Sequence, residues 1–158
     1  MFRKMRRHGQ ELDRAACERV LTTAERGTLA ANGDDGYPYA VPMDFFFDAD
    51  AGAIYLHSAL SGHKVDAIER DDKVCFTAWQ RGELAEDGWP YRFESVIAFG
   101  HAHAVTDEQE RRACTKKLGL KHYPTEAEVD HEIDHGLARM LLIRIDIVHL
   151  TGKRVHER

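Results

Sequence analysis

Ile54-Tyr55-Leu56-His57-Ser58-Ala59-Leu60-Ser61-Gly62-His63-Lys64-Val65-Asp66-Ala67-Ile68 decides how this chain is read. Ile54 to Leu56 are apolar and β-favouring, Ser61-Gly62 punctuates the run, and Val65 and Ile68 recur at i and i+3 as one face of a helix requires. The stretch is therefore a strand, a short polar turn and the first turns of a helix. A helix beginning here leaves its first backbone N–H groups unpaired and points the positive end of its macrodipole outward. Ser58, Ser61, His63 and Lys64 surround that end with hydroxyl donors and cationic or titratable groups, the chemistry of a phosphate site. An N-capped helix with a solvated lysine is the plain alternative reading of the same residues.

Just upstream lies the most β-favouring run of the chain, residues 37–47. Its Pro38 and Pro42 cannot donate ladder hydrogen bonds, which confines the strand to an edge, a bulge or a strand end and leaves backbone groups available to a ligand. Working outward, Asp13 reads as the N-cap of a helix with an apolar stripe of Ala16, Val20, Leu21 and Ala24 through Glu25, stopped by Gly27. Residues 28–32 form a short strand, and the turn 33–36 makes a hairpin with the proline-bearing strand. Residues 48–52 turn the chain into a third strand over 53–57. Beyond the central helix, expected to end near Arg70, residues 73–79 form a fourth strand and 80–90 a loop. Residues 92–105 form one long strand bent at Gly100. Thr106 or Asp107 caps a helix running to about Leu118, Thr125 to Glu128 opens another, and 139–150 is the last strand, ended by Thr151 to Lys153. Five or six strands joined mostly by hairpins, with helices at the start, in the middle and before the last strand, predict a small antiparallel barrel.

The length of 158 residues points to one domain over 1–158, with residues 1–11 as an N-terminal arm. A net charge of −5 argues against a dedicated nucleic-acid binder, because phosphate-backbone affinity needs concentrated Lys and Arg. No apolar run reaches the roughly 18 residues of a membrane span. The basic start Met1 to His8 is not followed by an apolar signal core, so a cytoplasmic location is expected. Cys17, Cys75 and Cys114 are widely spaced and form no CxxC pair, which reads as reduced, packed thiols.

His131-Glu132-Ile133-Asp134-His135 matches the H-E-x-x-H zinc pattern. Against it stand Asp134 inside the motif, Gly136 directly after it and Pro124 shortly before. The third-ligand candidates, Asp146, His149, His156 and Glu157, lie on a strand or in the terminal tail. A polar helix rich in His and Glu is the preferred reading, with no metal expected. G-x-S-x-G, G-x-G-x-x-G and the P-loop pattern are all absent, so a phosphate site here needs another fold.

Taken in order, Gly33-Asp34-Asp35-Gly36-Tyr37-Pro38-Tyr39-Ala40-Val41-Pro42-Met43, the 54–64 segment quoted above, Glu94-Ser95-Val96-Ile97-Ala98-Phe99-Gly100-His101-Ala102 and His149-Leu150-Thr151-Gly152-Lys153 resemble the pyridoxamine 5′-phosphate oxidase-like flavin-binding split-barrel superfamily. Within it, the chain is most similar to the branch of the Nim-type nitroimidazole-resistance reductases. The resemblance runs from about Leu12 to Lys153. It implies a six-stranded antiparallel split β-barrel, mainly β with flanking helices, that forms a homodimer with FMN at two interface sites. Val41, Pro42, Met43, Asp44 and Phe45 would then lie along the isoalloxazine ring. His57, Ser58, Gly62, His63 and Lys64 would hold the phosphate and ribityl chain, and Ser95 would reach the flavin from the other subunit. His63 stands where better-characterised oxidases carry arginine. No C-terminal substrate-phosphate motif can be placed convincingly on Lys153 and Arg154, which turns the expectation from pyridoxamine phosphate oxidation toward FMN-dependent reduction of a small-molecule acceptor, such as a nitro compound. His57 would line the ligand pocket, and the chemistry would belong to the cofactor. The alternative from another class is a non-catalytic flavin- or haem-binding module, with His57, His63, His101 and His103 as the histidines that leave haem open.

Overall fold

The structure is a computed structural model that describes residues 1–84, 86 and 91–156. Helix α1 (Arg14–Thr23) starts where the sequence places it, with the Asp13 carboxylate accepting from the Ala16 N–H at 2.8 Å. Gly27 does not stop this helix. The backbone is already extended at Ala24, and Gly27 lies inside strand β1 (Arg26–Asn32). Its missing side chain answers to packing instead, since a Cβ there would sit 2.3 Å from Phe76 Cζ.

A tight turn over Asp34–Gly36, with Asp35 at φ 52 and Gly36 at φ 77, folds β1 back on β2 (Pro38–Asp48). Strand β3 (Ala53–Ala59) follows, then helix α2 (His63–Arg70) and strand β4 (Lys73–Trp79). Within the expected loop 80–90, Glu83–Leu84 form a two-residue strand, β5; residues 85 and 87–90 lie outside the described residues. The long β6 (Tyr91–Ala104), helices α3 (Glu108–Leu120) and α4 (Glu126–Gly136), and β7 (Met140–His156) complete the chain. Asp107, not Thr106, caps α3, and α3 runs two residues past Leu118.

The sheet is antiparallel, in the order β4-β1-β2-β3-β7-β6-β5, and β6 also pairs with β4, so six strands close into a ring with β5 appended. Period-2 alternation sends Leu29, Phe45, Ile54, Leu56, Phe76, Val96, Ile143 and Ile145 inside, where they meet Val20 and Leu21 of α1. Burying each such side chain is worth about 1.5–3 kcal/mol. A second layer lies outside the ring, where α3 covers Ala53, Tyr55 and Leu142 with Cys114, and α4 adds Val129 and Ile133. Among the described residues no helix is long and apolar enough to cross a membrane.

Two irregularities shape the ring. Phe99 faces His149 while Gly100 faces Ile147, so Val148 is an extra residue on β7. This bulge reverses which residues point inward, from Ile143 and Ile145 before it to Leu150 and Gly152 after it. Gly100 sits at the bend as expected, and a Cβ there would lie 2.3 Å from the Asp146 carbonyl oxygen. The second irregularity is a seam. β2 pairs with β1 from Asp44 to Pro38 but with β3 only from Phe45 to Asp48, while His57 to Ala59 pair with β7 alone. Among the described residues the proline-bearing half of β2 therefore has a free edge, one of the placements its two prolines allow.

Candidate functional site

The seam brings together the β2, β3 and α2 residues that the sequence singles out, though not all on one side. Gly62, at φ 128, precedes α2, and its carbonyl accepts from the Val65 and Asp66 N–H groups at 2.8 and 3.0 Å. No side chain caps this helix, so Ser61, expected at the helix mouth, contributes nothing to its first N–H groups. Lys64 in the first turn reaches back to β2 and donates to Met43 Sδ at 3.3 Å. It has no carboxylate partner among the described residues, and burial alone pushes its ammonium below the usual lysine range. Ser58 is only 8 % exposed and has no hydrogen-bond partner among the described residues. It shares the inner face of β3 with Ile54 and Leu56, as Met43 shares that of β2 with Phe45. A half-buried cation with no anion among the described residues and a neighbouring hydroxyl left open are two polar groups for a ligand to engage. Val41 is half-buried on this inner side, while Pro42 is exposed.

His63 is already engaged. Its ring lies 4.1 Å from that of Tyr39, and its Nε2 lies 3.5 Å from Asp34 on the β1–β2 turn. Asp34 also takes Arg70 at 3.1 Å.

His57 and Ser58, neighbours in sequence, face opposite ways. His57 points outward with Asp44 into a cleft of about 550 Å³ that α3 and α4 wall with Leu118, Val129 and Ile133. Such a volume is in the range of small-molecule sites. Asp44 is bound by Arg26 at 2.7 Å. Burial acts to raise its pKa, but the Arg26 hydrogen bond and the charges of His122, Arg26 and His57 prevail and hold the carboxyl below its usual value. The Thr115 hydroxyl lines the same cleft, buried and without a hydrogen-bond partner among the described residues.

Three residues escape a sequence reading: Thr115 and His122, which line the cleft, and Lys121, which packs on Phe45. Lys121 at the end of α3 donates to the Phe45 carbonyl at 3.1 Å and lies 3.9 Å from the centre of the Phe45 ring, which is itself fully buried in the core. Burial pushes its pKa down to about 8 against the opposing charges of Asp44 and Glu25. Only the acidic start of α3 is visible locally; its docking over β2 is not.

Ser95 is not brought to the seam within one chain. It pairs across to Trp79 and Lys153 on the side of the ring opposite β2. Buried Val96 beside it points inward, so Ser95 faces out, alongside Trp79 and Ile97, which are 50 % and 43 % exposed. His101 and His103 do share a face, but they pair with Asp72 at 2.9 Å and Asp146 at 3.6 Å. The His131 and His135 rings lie 4.3 Å apart and tilted by 39°, with His135 Nδ1 2.7 Å from the His131 carbonyl oxygen. No group of three or more His, Cys, Asp or Glu side chains suited to a metal occurs among the described residues.

A closed antiparallel ring with one open seam, and a lone cation at a helix mouth beside it, defines a mainly β split-ring domain with flanking helices. The chain belongs to the pyridoxamine 5′-phosphate oxidase family, whose model matches residues 13–154. No curated protein matches the chain. Among solved structures, a candidate 5-nitroimidazole antibiotic resistance protein from Bacteroides thetaiotaomicron superposes with TM-score 0.76 at 21 % identity, over 91 % of this chain and 86 % of its own. A FAD-binding protein from Mesorhizobium loti gives 0.67 at 22 %, over 93 % and 98 %. A FAD- and haem-binding protein from Mycobacterium smegmatis gives 0.75 at 18 %, over 94 % and 74 %. At these identities the likeness is one of fold.

Proposed function

We propose that this protein is an FMN-dependent oxidoreductase that reduces a small-molecule acceptor, working as a homodimer in the cytoplasm. The observation that carries the reading is Lys64, a half-buried ammonium with no carboxylate partner among the described residues, in the first turn of an uncapped helix and in contact with the open strand β2. A phosphate supplies the missing anion, and the hydroxyl of Ser58 supplies a further donor. The residues present fit such a group: Lys64, Ser58 and the first N–H groups of α2 for its phosphate, and the free edge of β2 at 38–44 for its flat ring. When bound, the flavin supplies electrons or hydride to the acceptor. His57 faces the α3–α4 cleft and is the side chain placed to orient a small molecule there, while the apolar wall of Leu118, Val129 and Ile133 excludes water. Flavin-binding neighbours of the same fold support the cofactor class, and the family membership supports the reaction class. The outward-facing Trp79, Ile97 and Ser95 support the dimer, because exposed apolar side chains on one sheet face suit a second copy. The three free cysteines fit a reducing compartment.

The haem alternative has less support. His101 and His103 are each held by a carboxylate at the surface, and His63 is shared between Tyr39 and Asp34. The absorption spectrum of the purified protein tests the choice. Flavin bands, or their acquisition on adding FMN, are expected; a Soret band would replace flavin with haem, and failure to take up FMN would end the cofactor reading. Bound flavin that reduces no member of a panel of nitro compounds and quinones would leave a binding module.

A further inference from the structure

Helix α2 carries three side chains able to meet an anion, His63, Lys64 and Arg70, and the structure treats them unequally. Lys64 turns to Met43 and has no acidic partner among the described residues. His63 and Arg70, seven residues apart and therefore on one face of the helix, converge on a single carboxylate, Asp34. Asp34 Oδ2 lies 3.5 Å from His63 Nε2, and Asp34 Oδ1 lies 3.1 Å from Arg70 Nη1. Arg70 is tied a second time, donating from Nη2 to the Asn32 carbonyl at 2.8 Å.

The carboxylate is held in place by the turn that carries it. Gly33 N–H donates to the Tyr37 carbonyl at 2.9 Å, and Tyr37 N–H donates to the Asp34 carbonyl at 3.0 Å. Asp35 and Gly36 take the left-handed conformations that close the loop. Asp34 thus stands as an anchored carboxylate spanning His63, the first residue of α2, and Arg70, its last, the two further side chains that a second phosphate would seek.

We propose that Asp34 sets how many phosphates this site accepts, so that, on the FMN reading above, a phosphomonoester is selected over a diphosphate. One phosphate meets Lys64 and the free N–H groups of α2. A second must either displace Asp34 from His63 and Arg70 or lie against its carboxylate. Exposed ion pairs are individually weak, so the effect is one of selectivity, not of exclusion.

The test is a titration of FMN and FAD, followed by flavin fluorescence, into the wild-type protein and the Asp34→Asn variant. Wild type is expected to favour FMN by on the order of tenfold. Asp34→Asn is expected to tighten FAD by on the order of tenfold while FMN changes by less than about threefold. Equal gains for both flavins, or no gain for either, would overturn the role of Asp34, since loss of a merely structural charge does not distinguish one phosphate from two. The same proteins titrated with inorganic phosphate and pyrophosphate separate this inference from the cofactor reading. If wild type binds no flavin, the FMN reading falls, and a selective gain for pyrophosphate in Asp34→Asn still supports the role of Asp34. No selective gain there overturns it.

Discussion

Replacing Lys64 with methionine should weaken FMN binding by about 40-fold and leave the unliganded protein at least as stable as before. The two effects have opposite origins. A hydrogen bond to a charged group contributes about 1.5–3 kcal/mol, or roughly 10- to 150-fold in affinity, and the middle of that range is the expected loss. In the unliganded protein, by contrast, burial acts against the ammonium and no carboxylate among the described residues offsets it. Among the described residues its ammonium donates to the weak acceptor Met43 Sδ, so removing the charge strands no buried charged partner there. Methionine also keeps most of the apolar stem that packs along β2. Fluorescence titration with FMN reads the first effect and urea unfolding without ligand the second. Affinity unchanged within about threefold would show that the phosphate sits elsewhere. A loss of stability above about 1 kcal/mol would show that Lys64 is a structural tie, not a reserved cation.

Gly100→Ala should destabilise the protein by about 1–3 kcal/mol in urea unfolding, because the added carbon meets backbone at Asp146 that cannot give way; an unchanged midpoint would contradict the close approach at the bulge. Lys121→Met gives a pH test. The folded pKa of Lys121 is pushed down to about 8, below that of the unfolded chain, so between these values the unfolded chain binds more protons and the wild type gains stability as pH rises. The wild-type minus Lys121→Met difference should therefore climb from about pH 8 to the ordinary lysine value near 10.4, and a flat difference would refute the burial argument. Trp79→Glu, which puts a charge on the exposed apolar face, should convert a dimer to monomers in sedimentation velocity. A wild-type protein that already sediments as a monomer would remove the proposed assembly.

Much of the fold follows from local rules. Asp13 caps α1, the turn at 33–36 folds the first hairpin, and Pro38 and Pro42 mark the strand that is left half-paired. Gly27 shows where a local rule loses: glycine after an apolar stripe reads as a helix stop, yet the residue is fixed by the Phe76 ring, which is 49 positions away in sequence. The site was legible where its residues are local, as with Lys64 and Gly62 on one turn. Treating His57 and Ser58 as one phosphate-holding unit overlooks strand alternation, which assigns them to opposite faces. Thr115, Lys121 and His122 were not legible, because their relevance depends on where α3 docks on the ring. Ser95 lies across the ring from the seam, and no local pattern places it there.

The free side of β2 has a consequence for how copies of this protein behave toward one another. An unpaired strand edge is a template for intermolecular sheet growth. Along a strand, every second residue turns its N–H and C=O to the same side, so Pro38 and Pro42, four apart, share one side. The ladder to β1 is continuous across both, which assigns their missing donors to the open side. A strand arriving there would find carbonyls at 38, 40 and 42 but an N–H group only at Ala40, too few to zip up. A small molecule carrying its own donors faces no such shortage. The seam can stay open to a ligand without becoming a seed for fibres, and Pro42→Ala should make the unliganded protein prone to self-association before it costs any affinity.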